Sequence, residues 1–103
     1  MADIEKDRRE RLRWHLLRML DWNRPYTMPD VRMWEIATAN FPDTTVMEIR
    51  RELDYLADRE LVSLEKPQSN PWCANLTRYG VDVVEYTVDC QPGIARPPKF
   101  GNL

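Results

Sequence analysis

The chain has 103 residues, 43% hydrophobic and 31% charged, which is typical of one globular domain with a single core. Its net charge of −2 disfavours a protein that relies on non-specific attraction to nucleic acid, although the distribution of charge matters more than the sum. Two distant cysteines and one histidine form no zinc-type or disulfide pattern. No stretch approaches the ~20 apolar residues of a membrane span, and no signal-peptide core follows Met1. We therefore expect a cytoplasmic protein without cofactor or metal.

The first predicted helix runs from about Ala2 to Trp22 and ends at Asn23-Arg24-Pro25. No proline interrupts it, and its apolar residues recur at the spacing of a helix. We expect the following residues to be buried: Leu12, Leu16, Leu17, Met19 and Leu20.

A second helix is predicted to begin at Thr27, whose hydroxyl would cap the free amides. Asp30 would complete a capping box, and Pro29 would lie in the first turn, where it is tolerated. Asn40-Phe41-Pro42 would end the helix. Its predicted buried side consists of Val31, Trp34, Ala37 and Phe41.

The segment from Ile49 to Glu65 predicts a helix that leads directly into a strand. Thr45 and Glu48 form a second capping box, and the helix should last until about Arg59. Its apolar stripe is Ile49, Leu53 and Leu56. Residues 61–65 alternate as in a strand, residues 66–71 have the composition of a turn, and residues 72–76 return as a second strand.

Residues 78–86 are rich in β-branched side chains and could form a strand. A cap at Thr77 and the spacing of Val81, Val84 and Val88 favour a short closing helix instead. From Cys90 onward the chain reads as an extended, proline-rich tail, which could be a strap laid on a neighbouring subunit. We therefore divide the chain into a domain at 1–89 and a tail at 90–103.

Together these elements predict a mainly α protein with a small antiparallel β-wing. The architecture is a winged helix-turn-helix: a three-helix core, a two-stranded wing, a short C-terminal helix and an extended tail. In this arrangement the third helix is the candidate recognition helix.

Four segments in this order resemble a family of small winged-helix, ArsR-like proteins of Mu-like transposable phages and prophages. They are RWHLLRML at 13–20, IRRELDYLADRELVSLE at 49–65, LTRYGVDVV at 76–84 and PGIARPPK at 92–99. The resemblance implies a role in phage gene control or particle assembly, in the cytoplasm of the host cell. It supplies no catalytic motif.

The outward face of the third helix is the candidate surface for double-stranded DNA. At 100° per residue, the face opposite the apolar stripe carries Met47, Arg51, Asp54, Tyr55 and Asp58, with Arg50 at its edge. Arginine can read guanine, and short polar groups on a wing suit phosphate contacts. The predicted DNA-binding residues are Thr45, Met47, Arg50, Arg51, Lys66, Gln68 and Asn70.

The local charge argues against this surface. Residues 43–66 contain four basic and seven acidic side chains, which is a poor footprint for phosphate. The first helix carries six basic residues instead, mixed with acidic ones, four of which lie in its first half. They are either a solvated helix face or an arm that lies along nucleic acid or an acidic partner.

An enzyme and a protein-interaction module are the two other classes of function. An enzyme is disfavoured because His15 has no nucleophile near it in sequence and no glycine-rich loop is present, so no small-molecule substrate is evident. A protein-interaction module is the stronger alternative, in which the first and last helices would form a homodimer. Its candidate interface aromatics, which could equally fill the core, are Trp14, Trp22, Tyr79 and Tyr86.

Overall fold

The computed structural model describes residues 3–68 and 71–99. These residues contain four helices and three short strands. In chain order they are α1 (Ile4–Trp22), β1 (Met28–Pro29), α2 (Asp30–Ala37), α3 (Val46–Asp58), β2 (Val62–Glu65), β3 (Cys73–Leu76) and α4 (Arg78–Val84).

The core lies where α1, α2 and α3 meet. All five apolar residues predicted for the first helix are buried, and so is the predicted stripe of α3, formed by Ile49, Leu53 and Leu56. Thr45 caps α3 as expected, since its hydroxyl accepts a hydrogen bond from the Glu48 amide at 3.1 Å. The 3.6-residue periodicity therefore placed these two helices correctly.

The wing consists of β2, β3 and the turn between them, and both strands lie within their predicted ranges. They pair antiparallel, with Val62 opposite Leu76 and Glu65 opposite Cys73. The segment after the wing is a helix and not a strand, because the Thr77 hydroxyl accepts from the Gly80 amide at 3.0 Å and caps α4.

The predicted start of the second helix at Thr27 is wrong. Met28 and Pro29 instead form β1, which pairs with β3 and makes a three-stranded sheet of order β1-β3-β2. The helix begins at Asp30, and no side chain caps it. The reason is tertiary: Met28 is buried against the core, and the Asp30 amide donates to the Trp72 carbonyl at 2.8 Å.

The buried side of the second helix differs from the prediction at its first two positions. Ala37 and Phe41 are buried, but Val31 is 44% exposed and Met33 takes its place in the core. Trp34 is half-buried, and its Nε1 donates to the Thr44 carbonyl at 2.9 Å. The inward stripe therefore includes a carboxylate at Asp30, which an apolar pattern cannot reveal.

Residues 90–99 lie on the domain that precedes them within the same chain, and a strap laid on a neighbouring subunit stays a prediction. Ile94 joins the core, and the Ala95 amide donates to the Glu10 carbonyl of α1 at 3.1 Å. Arg96 donates to the carbonyls of Val83 and Val88, both at 2.9 Å. The tail thus ties α1 to α4.

Within the ranges 3–68 and 71–99, no helix is both long enough and apolar enough to cross a bilayer.

We expect Ile94→Ala to lower the free energy of unfolding by about 2 kcal/mol, because it removes buried apolar volume at the edge of the core. Urea denaturation measures the change. Lys99→Ala, at an exposed position of the same tail, is the control. Equal stability of the two variants would contradict the docking of the tail on its own domain.

Candidate nucleic-acid interface

The outward crest of α3 carries the side chains that the periodicity placed there. Met47 is 70% exposed, and the side chain of Arg51 is 65% exposed. Arg51 lies within 3.6 Å of Glu48 and 3.4 Å of Glu52, so its charge is partly balanced on the helix. Thr45 is exposed at the start of the helix, beside Met47.

A cleft separates this crest from the wing. Trp72, immediately before β3, forms its far wall. We call it the wing cleft, and its lining residues are Thr45, Met47, Glu48, Arg50, Arg51, Asp54 and Trp72.

Arg50 was predicted to contact DNA, but its side chain already has an intramolecular partner. Its Nε lies 2.5 Å from Oδ2 of Asp30, a carboxylate that is completely buried. The guanidinium also lies 5.1 Å from the centre of the Trp72 ring. Arg50 therefore fastens α3 to α2 and the wing, because a buried carboxylate without a cation is costly.

Lys66 and Gln68 lie on the wing, as predicted. The Lys66 Nζ is 2.8 Å from Oδ1 of Asp54 and 4.3 Å from the centre of the Trp72 ring. Lys66 thus offsets an acidic residue of α3 from across the cleft. Gln68 is exposed in the turn. Asn70, the last predicted DNA contact, lies outside the described residues.

Two glutamates of α3 point away from the crest, toward α1. Arg8 forms an ion pair with Glu48 and lies 3.1 Å from Asp43. Arg13 Nε lies 2.6 Å from Oε1 of Glu52, whose side chain is only 1% exposed. The hydrogen bond from Arg8 holds the pKa of the Glu48 carboxyl below its ordinary value.

Because of these pairs, the number of acidic residues in 43–66 overstates the negative charge that the surface presents. Three of the seven carboxylates in this range are bound by α1, and Lys66 balances a fourth. Arg8 and Arg13 therefore fit neither alternative for the first helix, a solvated face or a basic arm, because both are paired with α3. Helical spacing could have predicted that Glu52 is buried, because it lies three residues after Ile49 and four before Leu56, on the apolar stripe. The sequence gives no indication that Arg13 of α1 is its partner.

Tyr55 was predicted to point outward, but its ring is half-buried. The guanidinium carbons of Arg13 and Arg59 lie 3.5 and 3.7 Å from the ring centre. The tail covers the hydroxyl, since a Cβ at Gly93 would lie 2.0 Å from it. Gly93 has a φ of +102°, which favours glycine for a second reason.

The four candidate interface aromatics have different surroundings. Trp14 is 7% exposed and packs edge-on against Tyr86, with ring centres 6.2 Å apart. Tyr79 is half-buried and accepts a hydrogen bond from Gln91 at 3.2 Å. Only Trp22, 70% exposed, presents most of its ring on this isolated chain. The homodimer through the first and last helices stays a prediction.

No family model matches this chain, and no curated protein matches it. Among solved structures it is similar to Bacillus subtilis PadR in its crystal structure with operator DNA. The two share 18% sequence identity and a TM-score of 0.56. The fold is a winged helix. The match covers 86% of this chain and 52% of the PadR chain, so this winged helix spans about half the length of its structural neighbour.

The Arg8–Glu48 pair predicts a pH dependence of stability. Because the pKa of Glu48 is lower in the folded protein than its ordinary value of 4.5, the pair stabilises the fold above that pH. This contribution is lost as the pH falls through the lowered pKa. We expect the wild type to lose more stability than Glu48→Gln between about pH 5 and about pH 3. Urea denaturation across that range measures this difference.

His15 also has a lowered pKa, caused by burial and by Arg11 and Arg18, and it destabilises the fold in acid. Both proteins contain His15, so its contribution cancels in the comparison. Parallel loss of stability in wild type and Glu48→Gln would contradict the role of the pair.

Proposed function

We propose that this winged helix binds double-stranded DNA, with α3 in the major groove and the wing over the neighbouring backbone. The observation that carries the proposal is that Glu48 and Glu52 are held by arginines of α1. The outward crest is therefore much less acidic than the sequence of α3. The PadR structure holds operator DNA, and the shared fold supports the same class of ligand here.

Each exposed residue has a role that fits its chemistry. Arg51 has the reach and the two parallel donors needed for guanine, and Met47 offers an apolar contact for a thymine methyl group. Thr45 and Gln68 suit phosphate contacts, and the side-chain amide of Asn70 has the same chemistry. Lys66 would contribute charge while it balances Asp54.

Arg50 serves the proposed interface indirectly. Arg50 and the Trp72 amide both donate to the same carboxylate oxygen of Asp30, the amide at 3.3 Å. The bond from Arg50 to Asp30 therefore helps to fix Trp72, the far wall of the wing cleft. Replacing Arg50 would leave a buried carboxylate unpaired and disturb the fold. Arg51 is therefore the better residue for testing DNA contact.

The proposal includes a regulatory or assembly role without catalysis, in the host cytoplasm if the chain is of Mu-like phage origin. The resemblance of the four sequence segments supports that origin. The absence of catalysis is supported by His15, whose ring packs edge-on against Phe41 at 5.1 Å between ring centres. A histidine used in that way is poorly placed to activate a nucleophile.

The direct test is a duplex selected from a random library and measured by fluorescence anisotropy at about 50 mM salt. Arg51→Gln should weaken binding about tenfold, the effect of one lost base contact. Arg32→Gln is the control, because Arg32 is 62% exposed on α2 and, among the described residues, pairs only with Glu35. Failure to select any duplex, or equal affinities for the two variants, would refute the proposed interface.

A second candidate function, self-association, is favoured by one surface. We call Trp22 and Tyr26 the aromatic patch; they are 70% and 72% exposed and lie at the end of α1 and in the turn after it. Met28 and Ile36 line the groove beside them. Large exposed aromatics of this kind are favoured at interface cores.

If the aromatic patch joins two copies, light scattering should show a dimer for the wild type and a monomer for Trp22→Ser. Burial of the ring in the dimer is the reason, because serine removes that apolar area. Val31→Ser, at an exposed position on α2, is the control and should remain dimeric. A monomeric wild type at high micromolar concentration would exclude this function.

A further inference from the structure

A second cleft lies on the other side of α3, between its C-terminal half and the N-terminal half of α1. It has a volume of about 880 Å³. We call it the arginine cleft, and its lining residues are Arg9, Arg13, Arg51, Glu52, Asp54, Tyr55, Ala57, Asp58 and Arg59. We propose that it binds the phosphate backbone of the DNA strand opposite the wing, with Arg9 and Arg59 as the contacts. This inference rests on the DNA-binding function proposed above.

The position of the cleft supports this assignment. Arg51 and Asp54 line both the wing cleft and the arginine cleft, so they form the ridge between the two. If the ridge enters a major groove about 12 Å wide, the surfaces on its two sides face the two backbones that border the groove. The wing occupies one side. The arginine cleft occupies the other.

The charge of the cleft is more favourable to phosphate than the number of its acidic lining residues indicates. Four arginines face three carboxylates, but Glu52 is bound by Arg13 and Asp54 is bound by Lys66 of the wing. Asp58 is the remaining carboxylate. Positive charge therefore exceeds negative charge on this wall, as backbone binding requires.

Stacking on Tyr55 restrains the guanidinium of Arg59 in a position from which it can bind an anion. Two guanidinium groups at 3.5 and 3.7 Å from one ring centre must lie on opposite faces, so Arg13 and Arg59 enclose the ring. Stacking restrains a guanidinium while leaving its in-plane N–H donors available. The side chain of Arg59 is 34% exposed, and its nearest carboxylate, on Asp58, is 3.8 Å away.

Arg9 supplies the second cation. It lies one helical turn before Arg13 on α1, so the two side chains share a face. Among the described residues, no carboxylate lies within ion-pair distance of Arg9. Its charge is therefore available for a phosphate, unlike the charges of Arg8 and Arg13.

The test is the salt dependence of binding to the selected duplex. Each lost phosphate contact should reduce the slope of log affinity against log salt by about 0.9. Arg9→Gln and Arg59→Gln should each show this reduction, and their difference in affinity from the wild type should shrink about threefold between about 50 and about 200 mM salt. Asp58→Asn should bind more tightly than the wild type, because it removes the carboxylate that repels phosphate. Arg32→Gln should keep the wild-type slope.

The outcomes separate this inference from the proposed function. If the wild type binds and Arg51→Gln weakens binding, but Arg9→Gln keeps the wild-type slope and Asp58→Asn gains no affinity, the arginine cleft is not a backbone site. If the wild type binds no duplex, both proposals fail. Arg9 forms no ion pair with the described carboxylates and Asp58 is 84% exposed, so these two variants should fold. Thermal denaturation checks them.

Discussion

The buried ion pair between Arg13 and Glu52 is the constraint on which the arrangement of this winged helix depends. Glu52 is 1% exposed in the middle of α3, and a carboxylate so placed needs a cation within hydrogen-bond distance. Arg13 provides it from α1, stacks on Tyr55, and donates to the Gly93 carbonyl at 2.9 Å. One guanidinium thus connects the first helix, the third helix and the tail, and it sets how α3 is rotated against α1.

That rotation decides which charges face outward. The Arg8 and Arg13 pairs draw the acidic residues of α3 toward α1, and Lys66 of the wing balances Asp54. Arg51 and the arginine cleft remain on the outer surface. The same contacts that stabilise the fold therefore also shape the electrostatic surface proposed for DNA. A protein with a net charge of −2 can present a locally basic surface in this way.

Much of the fold could be predicted because its signals are local. The capping residues Thr45 and Thr77 and the apolar stripe of α3 depend only on neighbours within a few positions. The prediction of α2 failed where a tertiary contact replaced the local signal: pairing with β3 drew Met28 into a strand, although Thr27 had the chemistry of a cap. The docking of the tail was missed for the same reason, since within residues 90–99 a single apolar side chain, Ile94, is buried in the core.

The sequence by itself determined the three-helix order, the wing, the closing helix and the outward position of Met47 and Arg51, because helical and strand periodicity are properties of consecutive residues. Only the tertiary structure decided the partners of the charged residues. Arg8 and Glu48 are 40 positions apart, and Arg50 and Asp30 are 20 apart. A charge carries no local mark of its partner. Whether an arginine supports the fold or remains available to a ligand therefore depends on which elements pack together.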